Sequence, residues 1–268
     1  MRSISLTMDV ETDWGGRYPV TDEHCRGVEK GMERFLEILD IFEVRCTLFV
    51  SAMLAAHYGP LIRRWADLGH EIASHGYDHA KNYSDFGKEQ LSSQAERSKK
   101  ALEDCTGKPV FGFRTPQLRY HPLLPEVLAG CGYRYDSSVA RTSLPGRYRN
   151  QNIPAGPYRL GQILEIPVAR IPLTPLPFGL LWINLLGPTA LKMLFTLAPP
   201  PPESVCVIYS HPFDLVPRSW NTEFSLLVNG FYTFKAARVP GSLYALIKFF
   251  SRGDFDFLTM AEISDNIA

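Results

Sequence analysis

The chain has 268 residues, and its 28 basic side chains balance 28 acidic ones, so the formal net charge is zero. A chain of this length can bury the core of one large α/β domain, and a balanced charge offers no electrostatic basis for binding nucleic acid. The five cysteines are scattered and form no C-x-x-C pair, which is typical of reduced thiols in the cytoplasm. The first residues do not resemble a signal peptide. We therefore expect a cytoplasmic protein with a single domain over residues 1–268.

Strand and helix patterns alternate through the first half of the chain. Short apolar runs rich in β-branched and aromatic residues predict strands, and apolar residues at intervals of three and four predict helices. Repeated units of this kind are typical of parallel strands joined by right-handed crossovers, so the sequence predicts an α/β fold. The predicted strands cover residues 4–8, 46–50, 70–75, 110–113 and 133–138, and the predicted helices cover residues 24–42, 58–68, 89–105 and 122–129.

The second half of the chain is less regular. Residues 143–161 have no period and predict a long loop, and residues 172–197 are strongly apolar but interrupted by proline and glycine. No uninterrupted apolar run reaches the roughly 20 residues that a membrane span requires. We favour a loop and helix that cover the core; the alternative is an apolar lip that meets a lipid-linked substrate. Further strands are predicted at residues 163–170, 205–209 and 255–259, and a further helix at residues 242–250.

One histidine ends the predicted strand 70–75, and a second lies just after it. His75 and His79 are four residues apart, and two such imidazoles converge if they lie on one helical turn or where the end of a strand runs into such a turn. Neutral imidazole is the commonest protein ligand for first-row transition metals. The pattern therefore favours a metal site, and the alternative is a pair of surface histidines beside a glycine turn.

Acidic residues end the first predicted strand. Asp9 and Glu11 alternate along the chain and so lie on one face. One carboxylate could bind a metal while the other serves as general base, and the alternative is an acidic turn. A third histidine, His211, follows the predicted strand 205–209. It is either a capped core histidine or a candidate general acid.

Five motifs in order resemble those of the NodB-homology polysaccharide deacetylases, carbohydrate esterase family 4. The resemblance extends over residues 4–217, and each motif lies at the end of a predicted strand. The motifs are Thr7-Met8-Asp9-Val10-Glu11, Ser74-His75-Gly76-Tyr77-Asp78-His79, Phe113-Arg114-Thr115-Pro116, Tyr135-Asp136-Ser137-Ser138 and Tyr209-Ser210-His211-Pro212.

The resemblance implies a distorted (β/α) barrel that holds one divalent metal, zinc first, with cobalt, nickel and manganese as alternatives. It assigns Glu11, His75 and His79 as the metal ligands and Asp9 as the general base. Position 11 departs from the common Asp-Asp form of the first motif, so the roles of Asp9 and Glu11 could be exchanged, or Asp13 could take part.

The same resemblance assigns the remaining groups. It implies that Arg114 orients the base, that His211 is the general acid, and that Asp136 supports that histidine. The backbone N–H of Gln117 would point at the oxyanion, and we expect Trp14 to contact the substrate. Tyr120, Trp182 and Trp220 are weaker aromatic candidates, which more often serve packing.

The implied reaction is removal of the N-acetyl group from an amino sugar of a polysaccharide or of its precursor. Two alternatives remain. One is a different small-amide hydrolase, such as a deformylase acting on a lipid- or nucleotide-linked sugar, and the other is a catalytically silent carbohydrate-binding module. We expect no nucleic-acid partner and no stable membrane insertion, and a location in the cytoplasm or at the inner face of the membrane.

Overall fold

One curled sheet forms the framework of the molecule. The computed structural model describes residues 2–144, 148–150, 152–202, 204–217 and 225–267. The strands are β1 (Arg2–Val10), β2 (Thr47–Val50), β3 (Glu71–Ser74), β4 (Gly112–Phe113), β5 (Tyr135–Asp136), β6 (Ser143–Leu144), β7 (Tyr148–Arg149), β8 (Tyr158–Leu160), β9 (Ile163–Glu165), β10 (Val205–Ser210) and β11 (Phe255–Phe257). The α-helices are α1 (Met32–Ile41), α2 (Ala55–Asp67), α3 (Lys88–Thr106), α4 (Leu124–Gly130), α5 (Leu180–Leu197), α6 (Leu226–Ser251) and α7 (Met260–Asp265).

The strand order of the sheet is β10-β1-β2-β3-β4-β5-β9-β8, with β11 beside β1 and with β6 and β7 forming a separate hairpin. The pairs from β10 to β9 are parallel, and only the edge pair β8–β9 is antiparallel. Beyond β9, bridges from Val168 to Val207 and from Gly179 to Tyr209 join the chain back to β10. These bridges curl the sheet on itself, and the predicted distorted (β/α) barrel is confirmed.

Strand alternation divides the core into two layers. In β1, Ile4, Leu6 and Met8 belong to the large cluster between the sheet and the helices. Residues of opposite parity on neighbouring strands, such as Phe49 and Val207, form a second cluster inside the barrel. Since successive side chains of a strand point to opposite faces, the odd-numbered Asp9 shares the interior face. The alternation along β1 thus directs the Asp9 carboxylate into the mouth of the barrel.

The helices differ from the predicted ones in one important place. The predicted helix 242–250 is the end of the much longer α6, and α7 was not predicted. Gly230, Pro240 and Gly241 lie within α6, and such residues disguise a helical period. The predicted loop 143–161 also contains the short strands β6, β7 and β8; its residues 145–147 and 151 lie outside the described residues.

Helix α5 covers the apolar stretch whose structure the sequence left open. Gly187 interrupts it with a left-handed φ of 77°, and Pro188 follows. Within the described residues, it is the one helix long and apolar enough to cross a membrane by length and composition, but 28% of it is buried inside the protein. It packs against α6 and β10, as expected of a helix that covers the core.

Candidate metal and catalytic site

Three side chains converge at the carboxyl ends of β1 and β3. One ligand atom each of Glu11, His75 and His79 can be chosen so that all three lie within 4.8 Å of one another. The His75 Nε2 atom is 3.4 Å from Glu11 Oε2, and His79 Nε2 is in direct contact with the same oxygen. All three side chains are buried. The structure therefore brings together the three residues that were predicted as ligands.

The backbone of the third motif fixes the orientation of His75. Its Nδ1 lies 2.9 Å from the carbonyl oxygen of Arg114. A carbonyl only accepts hydrogen bonds, so Nδ1 must carry the proton and donate it. The lone pair is then on Nε2, the atom that faces Glu11. Histidines that bind a metal through one ring nitrogen usually donate such a hydrogen bond from the other.

A tight loop, and not the predicted helical turn, brings His79 back to His75. Residues 75–79 form no helix, and Gly76 has a φ of 73°. A Cβ atom on Gly76 would lie 2.1 Å from the Tyr83 hydroxyl oxygen, and one on Gly16 would lie 1.9 Å from His79 Nδ1. Glycine at both positions lets the two loops close around the imidazole.

The donor set fits a divalent metal. Glu11 Oε2 is buried without a hydrogen-bond partner, and it lies between two imidazole nitrogens. Burial alone would raise the pKa of Glu11, but His79 and His75 outweigh it and hold that pKa well below its usual value. An ionised carboxylate and two imidazoles are a common ligand set for zinc and other first-row ions.

Asp9 lies beside this cluster but is held by Arg114. The Arg114 Nη1 atom donates to Asp9 Oδ1 at 2.7 Å and to Thr7 Oγ1 at 2.8 Å. Asp9 Oδ2 faces the cluster, 3.9 Å from His75 Nε2. Asp13 is engaged elsewhere, because its Oδ1 accepts a hydrogen bond from the Gly27 N–H at 3.0 Å. Glu11 is thus the carboxylate that lies between the imidazoles, and Asp9 is the carboxylate that Arg114 holds.

His211 approaches the cluster from β10. Its Nε2 atom is 3.9 Å from Glu11 Oε1, and its Nδ1 atom is 3.6 Å from Asp214 Oδ2. Burial would lower the pKa of His211, but Asp214, Glu11 and Asp9 raise it above its usual value. The side chain is still 25% exposed, so one side of the imidazole is open to solvent.

The partner of His211 differs from the one that the resemblance implies. Within the described residues, Asp136 makes no ion pair with His211, and Asp214 takes that place. The sequence carried a usable indication, since an acidic residue three positions after the start of a helical turn is a capping pattern. Asp214 Oδ2 indeed accepts a hydrogen bond from the His211 N–H at 3.3 Å.

Asp136 instead belongs to a buried layer beneath Arg114. Its Oδ1 accepts hydrogen bonds from the Ser137 N–H at 2.9 Å and from the Ser138 hydroxyl at 2.5 Å. Ser137 in turn accepts from the Arg114 guanidinium through both its carbonyl and its hydroxyl oxygen. Burial raises the pKa of Asp136 to about 7, and burial together with the nearby Asp136 raises the pKa of Glu165. Asp136 thus supports the loop that holds Arg114.

A cleft opens beside the cluster. It has a volume of about 370 Å³, and its lining includes Trp14, Gln117 and Arg17. Trp14 and Gln117 both adopt left-handed backbone conformations, with φ of 63° and 59°. The two predicted substrate contacts therefore line one cleft, and Arg17 adds a cation that was not predicted. Trp220 lies outside the described residues.

Comparisons with known proteins point to one family. The family model of the polysaccharide deacetylases matches residues 2–135, half of the chain. A peptidoglycan deacetylase from Helicobacter pylori is 24% identical over 152 residues, which are 54% of this chain and 52% of that protein. The match thus spans about half the length of this curated relative.

Solved structures share the fold over nearly the whole chain. A putative polysaccharide deacetylase from Mycobacterium smegmatis superposes with a TM-score of 0.68 at 21% identity, over 99% of this chain and 90% of that one. A family 4 pseudoenzyme from Bacillus anthracis superposes with a TM-score of 0.59 at 13% identity, over 98% of this chain and 65% of that one. At these levels of identity the similarity shows a shared fold alone. From the matched family model, the chain belongs to the polysaccharide deacetylase family.

Proposed function

We propose that the protein is a metal-dependent hydrolase that removes the N-acetyl group from an amino sugar of a polysaccharide or of its precursor. One observation carries the proposal. The buried cluster of Glu11, His75 and His79 lies between Asp9, whose carboxylate pairs with Arg114, and His211, whose imidazole faces Asp214. The family supports deacylation in general, and the metal and the substrate are the proposed parts.

Glu11, His75 and His79 would hold the metal through three protein ligands. When bound, a divalent ion of this kind lowers the pKa of a water ligand toward neutrality and polarises a carbonyl oxygen. Zinc suits the donor set, and cobalt, nickel and manganese are alternatives.

Asp9 and His211 would move the protons. Asp9 accepts a proton from the water that attacks the acetamide carbon, and Arg114 keeps one of its oxygens fixed while the other faces the cluster. The C–N bond then breaks, and protonated His211 donates to the departing amine, which would otherwise be a poor leaving group. Acetate and a free amino sugar result, and the raised pKa of His211 suits this role near neutral pH.

The first experiment measures metal content per chain for the wild type, His75→Ala and His79→Ala, each purified without added metal and then supplied with zinc. We expect about one ion per chain in the wild type and none in either variant, because each loses one of three ligands. The matched control is His57→Ala, which removes an exposed histidine on α2 and should leave the metal content unchanged.

The second experiment identifies the acyl group. Acetate, formate and ammonia release are followed from amino sugars that carry acetyl, formyl or ureido groups, including peptidoglycan and chitin oligosaccharides. We expect acetate release that is lost in Asp9→Ala and His211→Ala, with an unchanged circular dichroism spectrum. Formate release alone would select a deformylase. Sugar binding without metal or turnover would select a silent module, and release by the Asp9→Ala/His211→Ala double variant would refute the proposed roles.

A further inference from the structure

Helices α5 and α6 have an unusual charge balance. Together they hold 44 residues, with four basic residues, Lys192, Lys235, Arg238 and Lys248, and no acidic residue. Because the whole chain is neutral, the remaining residues carry a net charge of −4. The cationic excess of the molecule is thus confined to one pair of packed helices.

The solvent side of α5 is apolar. Thr189, Met193 and Leu197 follow one another at intervals of four after the kink at Gly187 and so share one face, and Leu185 precedes the kink. All four are exposed, the leucines and the methionine by 53 to 67%. A surface helix of a soluble protein usually presents charged and polar residues there. This helix has one charged residue, Lys192.

The solvent side of α6 combines large apolar groups with cations. Leu226 is 74% exposed, Leu227 is 85% exposed and Phe234 is 59% exposed. The Arg238 guanidinium lies 5.2 Å from the Phe234 ring centre, and the Lys248 amine lies 5.6 Å from the centre of the Tyr244 ring. Apolar and aromatic side chains interleaved with lysine and arginine are the composition of helices that lie in a membrane interface.

Two further arginines line a pocket beside the end of α5. The pocket has a volume of about 210 Å³, and its lining includes Arg141, Arg170 and Ser204 together with Leu173 and Ala198. Arg141 Nε and the Ser204 hydroxyl are buried without hydrogen-bond partners. Neither arginine forms an ion pair within the described residues, and Leu173 at the pocket edge is 68% exposed. Two guanidinium groups, with an unsatisfied Nε on Arg141 and the unsatisfied Ser204 hydroxyl beside them, suit a phosphate oxygen.

We propose that the exposed sides of α5 and α6, together called the helical face, dock on the surface of an anionic lipid bilayer. Positive charge without any acidic residue complements anionic headgroups, and the exposed leucines, methionine and phenylalanine enter the boundary with the acyl chains. The Arg141–Arg170 pocket receives a headgroup phosphate. The kink at Gly187 and the packing against β10 favour a helix that lies on the bilayer over one that spans it. The inference does not depend on the proposed reaction.

The test is co-sedimentation of the purified chain with two kinds of vesicle: phosphatidylcholine alone, and equal parts of phosphatidylcholine and phosphatidylglycerol. We expect binding to the anionic vesicles that weakens as salt rises from about 0.05 to about 0.5 M, because salt screens the attraction. The Met193→Glu/Leu197→Glu double variant should lower the partition coefficient about a hundredfold, since two large apolar side chains no longer enter the interface. Lys192→Gln/Arg238→Gln/Lys248→Gln should lower it by about as much, but only for anionic vesicles.

The matched control is Ile41→Glu/Leu68→Glu, which changes two equally exposed apolar residues at the ends of α1 and α2. It should bind vesicles as the wild type does. Circular dichroism and metal content report on the fold and on the separate metal site, and both should be unchanged in every variant. Three results would each overturn the proposal. The first is that the chain binds neither kind of vesicle, and the second is that the α5 variant binds as well as the control variant. The third is that the helical face is buried in a dimer of this chain that does not bind lipid. Inhibition of vesicle binding by inorganic phosphate would support the pocket as the headgroup site.

Discussion

The carboxyl edge of the sheet and the helical face treat charge in opposite ways. At the edge, Asp9, Glu11 and Arg114 are buried, and Asp9 and Arg114 satisfy each other. On the helical face, apolar groups are exposed, and the two helices contain basic residues but no acidic residue. Buried charges are costly to separate from their partners, whereas exposed side chains contribute little to folding. We therefore expect stability and activity to respond strongly to a single substitution at the carboxyl edge of the sheet. Substitutions on the helical face should matter only when that face binds another surface.

The largest effect should come from exchanging carboxylates for amides at the edge. Asp9→Asn should lower the rate of deacylation about a thousandfold or more while the chain still binds metal, because only the base is lost. Glu11→Gln should instead lose the metal. Metal analysis and initial rates on the same samples test this separation. Loss of metal in Asp9→Asn and retention in Glu11→Gln would mean that the two roles are exchanged.

Breaking the buried ion pair should have the next largest effect. Arg114→Met leaves the Asp9 carboxylate buried and unpaired, so the free energy of unfolding should fall by about 3 kcal/mol or more. Arg119→Met, an exposed arginine in the same loop, should change it by less than about 0.5 kcal/mol. Urea unfolding of both variants measures the two values. Equal effects would show that burial at the edge does not set its sensitivity.

A change in pH dependence should follow from the partner of His211. His211 must be protonated to donate, so activity falls as pH rises through its pKa, which lies above the usual value. Asp214→Asn removes the carboxylate that most strongly opposes the effect of burial, so the alkaline limb of the kcat/KM profile should move to lower pH. Asp136→Asn should leave that limb in place. The reverse result would restore Asp136 as the supporting acid.

The buried Asp136–Glu165 pair should instead affect stability. The folded-state pKa of Asp136 is about 7, above its usual 3.8, and that of Glu165 is also raised. The folded chain therefore keeps protons that the unfolded chain releases, and the stabilisation is complete below pH about 4 and is lost as pH rises through about 7. Asp136→Asn should flatten this decline. Urea unfolding across that range measures the slope, and an unchanged slope would contradict the assignment.

The smallest effect is expected on the helical face. Leu197→Gln in the absence of lipid should change the free energy of unfolding by less than about 0.5 kcal/mol, because the side chain is already 67% exposed. Thermal or urea unfolding measures this. A loss of several kcal/mol would show that the face has an intramolecular partner, and the contrast between the two regions would fail.

Strand periodicity explains how much of the site could be predicted from the sequence. The shared parity of Asp9 and Glu11 and the strand before His75 fix which side chains enter the barrel mouth, and both follow from local pattern. The loop that returns His79 could not be predicted, because it depends on contacts of Gly16 and Gly76 with distant residues. Asp214 was missed because the resemblance directed attention to Asp136, although the capping pattern after His211 indicated an acidic partner. The predicted helix 242–250 was shorter than α6 because the glycines and the proline within α6 conceal its helical periodicity. Packing of α6 against α5 is not visible in the local pattern.

The pairing of β1 with β10 has a consequence for the order in which the protein is assembled. The register joins Ser3 to Val205, so the strand that carries Asp9 is completed only when the last third of the chain arrives. The three proposed metal ligands, in contrast, all lie within the first 79 residues, in the segments that follow β1 and β3, and both of these strands pair in parallel with β2. Contacts close in sequence form before those far apart. On a ribosome the emerging chain would therefore complete the proposed metal site well before it gains His211, the proposed general acid.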